Sequence, residues 1–286
     1  MELRLYHRLT ITYTRRTMLK PGDRQAKTIH AAIDQYVMPQ IVIFTLALLI
    51  LAKGSVGGAN PEPREAWSSA GPAHLLAVGR LLVPGYRVED GYKRHYVEDC
   101  SATLVAESGR QEADIIVSAW HCLEHYRDVS KAIRFVLAAD GSERLSTTAR
   151  RIADGGHISE DWAVLKLAQP VPASLARPLT VNWQAPDSGR GITMAGYSGD
   201  SGIGGNGEHL SYHADCRILE SRRAIISTDC LAYKGASGGA VTQEDAASGE
   251  AQLTGVISQG NGDDTSLFVP TTRFATSLKA ALQGNQ

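Results

Sequence analysis

Neither sign of charge dominates this 286-residue chain, in which 29 Lys/Arg face 30 Asp/Glu for a formal net charge of -1. The arginines are scattered and build no basic stripe, which argues against a nucleic-acid partner. No apolar run reaches the roughly 20 residues that a membrane-spanning helix needs. The longest, residues 41–52 (IVIFTLALLILA), is short and is broken by Thr45. No internal repeat is evident. The most glycine-rich stretch, residues 199–207 (GDSGIGGNG), lacks phosphate-binding spacing ahead of a helix, so it reads as an exposed loop without chemistry.

What charge there is lies unevenly. Residues 1–59 hold eight Lys/Arg against three Asp/Glu, and the rest of the chain holds 21 against 27. Arg15, Arg16, Lys20, Arg24 and Lys27 precede the apolar run, and Gly54, Ser55, Gly57, Gly58 and Ala59 follow it. Basic region, apolar region and small residues make the layout of a secretory signal, with cleavage expected near Ala59. As a helix the run would span only about 18 Å against a hydrocarbon core of roughly 30 Å. An uncleaved anchor is the alternative, and Met18 is a second candidate start. The expected organisation is a leader over 1–59 and a body in two halves, 60–175 and 176–286, in a secreted or periplasmic, extracytoplasmic protein. A membrane enters only if the signal is retained, and a monomer is expected.

Four cysteines, all beyond the run, fit an oxidising compartment and allow three pairings. Cys100 precedes one apolar run and Cys122 follows the next, so adjacent antiparallel strands would bring them together and leave Cys216 with Cys230. The body reads as short strands at 75–83, 101–105, 115–119, 133–137, 163–167, 191–195, 224–228, 240–242 and 252–258, parted by Gly, Asp, Asn or Pro. That is the pattern of an all-β barrel or sandwich. Residues 169–182, with three prolines, read as a connection between halves. Phe274, Leu278 and Leu282, four apart, suggest a short C-terminal helix.

The chemistry centres on Gly235-Ala236-Ser237-Gly238-Gly239, downstream of Ser118-Ala119-Trp120-His121-Cys122. A serine hydroxyl is a weak nucleophile that needs a base within reach and N–H donors for the oxyanion formed on attack. The serine string also fits G-x-S-x-G, the nucleophile elbow of α/β-hydrolases, but there the histidine follows the serine. All nine histidines here lie at or before His213, so that reading fails on chain order. His121-Cys122-Leu123-Glu124-His125 matches H-x-x-E-H, in which two histidines share a zinc with Glu124 as base. The strand-like Ile115-Ile116-Val117 just before it is a poor start for the long helix that such a site uses. The leading reading has no metal and no cofactor.

The order His, Asp, Ser remains, and on these motifs the sequence resembles the chymotrypsin-like (trypsin-like) serine peptidases, nearest their bacterial secreted V8-like, glutamyl-endopeptidase-type relatives. The likeness lies in residues 100–105 (CSATLV), 117–122 (VSAWHC), 161–167 (DWAVLKL), 235–241 (GASGGAV) and 255–260 (GVISQG), and extends over about residues 70–280. It implies two six-stranded antiparallel β-barrels with the site between them. It also implies a secreted serine endopeptidase acting on protein or peptide substrates, with Ser237 as nucleophile, His121 as base and Asp161 as the acid behind it. Backbone N–H groups of Gly235 and Ser237 would form the oxyanion hole. Leu231, Ser258 and Gly260 would face the substrate.

Two departures matter. The family commonly has Asp before the serine, to receive a new amino terminus on activation, and here Ala236 stands there. Leu231 occupies the place of trypsin's basic-residue selector and Ile257 that of a glutamate-selecting histidine, so an apolar or small residue is the expected preference. Glu160 is the rival acid, but strand alternation puts Asp161 on the face of Ala163 and Leu165. His157, in a Gly-Gly-His turn, is assigned to the surface. A non-catalytic binding or adhesion module on the same fold is the alternative from another class.

Overall fold

The computed structural model describes residues 62–222 and 224–284, so the leader and its signal reading lie outside the described residues. After a short strand β1 (Glu65–Ala66), the first half lays down β2 (Val78–Glu89), β3 (Tyr92–Val105), β4 (Glu112–Ser118), β5 (Ile133–Leu137), β6 (Leu145–Asp154) and β7 (Ala163–Pro172). These six close into an antiparallel barrel in the order β2-β3-β4-β7-β6-β5. Alternation builds it: along β5, Ile133, Phe135 and Leu137 are buried while Arg134 is exposed. Closure removes the two free edges that an open sheet would expose. β2 and β3 pair over their whole length, and Asp90-Gly91, both at positive φ, make the two-residue turn between Glu89 and Tyr92.

The second half contributes β8 (Thr180–Val181), β9 (Ile192–Gly196), β10 (Ser211–Cys216), β11 (Ile218–Ser221), β12 (Ile226–Thr228), β13 (Ala240–Glu244), β14 (Ala251–Gly260) and β15 (Ser266–Pro270). With β1 they form a nine-stranded sheet in the order β1-β10-β9-β13-β14-β15-β12-β11, with β8 alongside β14. It stays open, a half-barrel where the resemblance implied a second closed one, because the path ends at β11 and β1 instead of joining them. Ile192, Met194, Ile226, Val241, Ile257 and Phe268 pack within it. The all-β, chymotrypsin-like fold is completed by one short helix, α1 (Ala275–Leu282), which buries Leu278 and Ala281. The segment leading into α1 stacks Phe274 on Trp162, with ring centroids 5.5 Å apart. Both cysteine pairs, Cys100–Cys122 and Cys216–Cys230, are joined as disulfides. Among the described residues, no helix is long and apolar enough to cross a membrane.

Candidate active site

The pairing of β4 with β7 explains why two side chains forty residues apart meet. Ser118 at the end of β4 lies opposite Ala163 at the start of β7. His121, in the 3-10 turn Trp120–Leu123 just past β4, therefore emerges beside Asp161, two residues ahead of β7. His121 Nδ1 stands 2.8 Å from Asp161 Oδ2, and the His121 backbone N–H donates to Oδ1 at 2.9 Å. A carboxylate only accepts, so Nδ1 carries a ring proton, and in the neutral imidazole Nε2 is the nitrogen with the free lone pair. Asp161 is fully buried, and Ser258 Oγ also donates to its Oδ2, at 2.5 Å. This places Ser258 behind the acid, a contact that sequence reading, which assigned it to substrate, did not foresee. The Cys100–Cys122 bridge fastens the turn to β3.

Asp161 itself sits at the end of a 3-10 turn (Ile158–Glu160), so the strand begins later than the alternation argument supposed. Glu160 is turned away and pairs with Arg273. His157 is exposed, within 2.6 Å of Ser159 Oγ.

Ser237 approaches from the sheet half, in the loop before β13. Gly235 is at φ +96, and a Cβ there would come within 2.5 Å of the Tyr197 carbonyl, so only glycine fits. The buried Ser101 of β3 ties this loop to the barrel. Its N–H donates to Ser237 O at 2.8 Å and its Oγ to Gly235 O at 2.9 Å, and the same Oγ accepts from Tyr197 N–H at 2.8 Å. The N–H groups of Gly235 and Ser237 have no hydrogen-bond partner among the described residues, whereas that of Ala236 is spent on Tyr233 O at 3.0 Å. Two unspent donors beside a serine hydroxyl make an anion-binding corner. Ser237 Oγ itself donates to the Ser258 carbonyl at 3.4 Å and makes no hydrogen bond to His121.

His121 and Ser237 share an open cleft of about 460 Å³, walled by Ile257, Ser258, Gln259 and Gly260. Leu231 is not on its wall; its N–H donates to His213 Nδ1 at 2.9 Å, and burial holds His213 below the ordinary imidazole range. Beneath the cleft the walls nearly touch, for a Cβ on Gly260 would lie 2.1 Å from the Ala232 carbonyl.

The zinc alternative finds little support here. His121 Nδ1 is committed to Asp161, and His125 Nε2 lies 3.9 Å from its neighbour Glu124. Among the described residues, the two groups close enough to share an ion are Cys100–His121–Cys122 and His213–Cys216–Cys230. In both, the sulfurs are bound to each other as disulfides and are not thiolate ligands.

Solved structures share this architecture. A thermostable serine protease, AL20, from an extremophilic microorganism superposes with a TM-score of 0.54 at 16% identity, over 74% of this chain and 99% of its own. The protease Anisep from Arthrobacter nicotinovorans gives 0.53 at 19%, over 75% and 98%. A Glu endopeptidase gives 0.58 at 15%, over 78% and 98%. At such identities the likeness is one of fold. No curated protein sequence matches significantly. The model of the trypsin-like peptidase domain matches residues 100–249, more than half of the sequence, with His121, Asp161 and Ser237 all inside the match, so the chain belongs to the trypsin-like peptidase family.

Proposed function

We propose that the protein is an exported serine endopeptidase that cleaves peptide bonds through an acyl-enzyme formed on Ser237. The observation that carries this reading is a buried carboxylate holding the Nδ1 side of an imidazole, with the other ring nitrogen left for a cleft that also contains the serine. His121 Nε2 takes the Ser237 proton as Oγ attacks the substrate carbonyl, then delivers it to the departing amine. Asp161 fixes the tautomer and stabilises the imidazolium. The unspent N–H groups of Gly235 and Ser237 receive the oxyanion. Water repeats the sequence on the ester and regenerates the serine.

The Ser237 hydroxyl must leave the Ser258 carbonyl and turn to His121, a rotamer change of the kind expected when substrate arrives. Ser258 and Gly260 offer backbone groups to an extended peptide. The near-contact of Gly260 with Ala232 supports a small residue at the scissile position, with Leu231 behind that wall in place of a charged selector. The protein works as a monomer, in two halves over 60–175 and 176–286, and the disulfides support an extracytoplasmic setting.

The unmade Ser237–His121 contact favours one rival, a silent binding module on the same fold. Fluorophosphonate labelling of the full chain separates the two, with casein as substrate. The peptidase reading expects label on Ser237, turnover of casein in the presence of chelator, and loss of roughly 10⁴–10⁶ in kcat in Ser237→Ala. Folded, oxidised protein that takes no label and cleaves nothing would leave the binding module.

A further inference from the structure

Among the described residues only two charged side chains are buried, Asp161 and Arg64. The reaction accounts for the first. Arg64 lies just ahead of β1, and its guanidinium spends four of its five N–H donors on two carboxylates. Nε and Nη2 reach the two carboxylate oxygens of Glu62 at 2.9 and 2.8 Å, and Nη1 and Nη2 reach those of Asp200 at 2.8 and 3.1 Å. The plane lies over the Tyr233 ring, 4.1 Å from its centroid. Burying a charge is unfavourable unless it is fully paired, so an arginine held in this way is holding something in turn.

Its contacts lead to the nucleophile loop by two routes. Asp200 organises the glycine-rich loop, accepting from Gly204 N–H at 3.2 Å through its side chain and from Asn206 N–H at 2.8 Å through its carbonyl. Its neighbour Gly199 donates its N–H to the Lys234 carbonyl at 2.6 Å. Because a trans peptide is planar, fixing the Lys234 C=O aims the Gly235 N–H the opposite way. The second route runs through Tyr233, which sits under the guanidinium and whose carbonyl accepts from Ala236 N–H. The two peptides around Gly235 are thus oriented by residues on which Arg64 rests.

We infer that Arg64 is a positioning residue, an internal latch that sets the Lys234–Gly235 peptide so that the Gly235 N–H serves the oxyanion. The inference rests on the reading of Ser237 as nucleophile. It gives the glycine-rich loop, which sequence alone left without chemistry, a function. It also supplies a route to an ordered site in a chain whose residue before the serine, Ala236, has no carboxylate to receive an amino terminus. Burial opposes the charge on Arg64, but its hydrogen bonds to Glu62 and Asp200 outweigh it and hold the guanidinium above its already high range. The Arg64 hydrogen bond holds Glu62 below the usual carboxylate range, and at Asp200 the same partner overcomes the opposing effect of burial.

The test compares full-length wild type, Arg64→Met, Arg64→Lys, Asp200→Asn and the Arg64→Met/Asp200→Asn double variant. Steady-state kinetics on a chromogenic peptide are measured beside amide hydrogen exchange. The latch expects kcat to fall about 10–100-fold in Arg64→Met, approaching the loss of one oxyanion donor, with KM within about threefold. Arg64→Lys keeps the charge without the fork and falls between. The double variant is no worse than the worse single one, and exchange quickens at the bonded amides of Gly199 and Ala236 but not in β2–β7. Unchanged kcat with unchanged exchange at Gly199 would overturn the latch, as would additive losses or exchange that rises equally in the barrel. If wild type takes no fluorophosphonate label, the peptidase reading fails first, and local exchange at Gly199 and Ala236 still decides whether Arg64 orders the loop.

Discussion

The closed barrel and the open sheet divide the labour unequally. The barrel delivers a carboxylate and an imidazole that find each other through one strand pairing, β4 on β7, with a disulfide at the histidine. The sheet delivers a serine loop that joins it only after the serine, where Gly238 N–H donates to the Ile257 carbonyl at 2.7 Å and the Gly239 carbonyl accepts from Ile257 N–H at 3.0 Å. Ser237 and the loop residues before it stand outside every strand and are kept in place by bonds from Ser101 in the barrel and from Gly199, with Ala236 N–H returning to the Tyr233 carbonyl within the loop. A pair built on a strand register is as rigid as the sheet beneath it. A loop hung from single hydrogen bonds is open to tuning, one contact at a time.

The two disulfides give the largest test of that contrast. They close loops with sequence separations of 22 and 14, so removing either pair by double Cys→Ala substitution is expected to cost about 3 kcal/mol. Equal losses in urea denaturation should nevertheless accompany unequal losses in kcat, since only Cys100–Cys122 secures the turn bearing His121. Equal falls in kcat would break the comparison. Next comes Ser101→Ala, which strands the Gly235 carbonyl and the Tyr197 N–H together. Burying unpaired groups of this kind costs about 1–3 kcal/mol, and kcat should drop while KM holds; a change in KM alone would show that the loop does not depend on the barrel.

The smallest effect concerns protons. Burial holds His74 and His213 below the imidazole reference of 6.5, and His74 Nε2 has no hydrogen-bond partner among the described residues. Between their folded values and 6.5 the unfolded chain binds more protons, so stability rises with pH in that window and is lost as pH falls through it. Melting temperature should therefore decline from pH 7 toward pH 5, and His74→Gln should flatten part of the slope. An unchanged slope would mean that neither histidine couples folding to acid.

Where a segment's burial matched its apolar pattern, the sequence was legible: residues 133–137 form β5 as expected, and His121, Asp161 and Ser237 come to one region from three motifs. β6 escaped because its inward Leu145, Thr147 and Ala149 carry one large apolar side chain among them, and the register shifts between Arg151 and Ala153, where Ile152 packs on the core out of alternation. β10 hides for a similar reason, with Ser211, His213 and Asp215 among its six residues, whereas β15 carries an apolar run, Leu267-Phe268-Val269, that the strand reading passed over. The span 169–182, read as connection, holds the end of β7 and all of β8. Ser258 behind Asp161 and Arg64 on Asp200 left no local mark, for their partners are 97 and 136 residues away. Asp90-Gly91 was a turn signal in plain view, and it heads the longest hairpin of the barrel.

The segment that runs into α1 fastens both flanks of the acid, Arg273 on Glu160 and Phe274 on Trp162. A single nick between Pro270 and α1 would leave every rung of the barrel ladder in place while freeing the residues that bracket Asp161. Ageing of this protein by self-digestion would then show silent molecules that still look folded, with the spectrum outliving the activity.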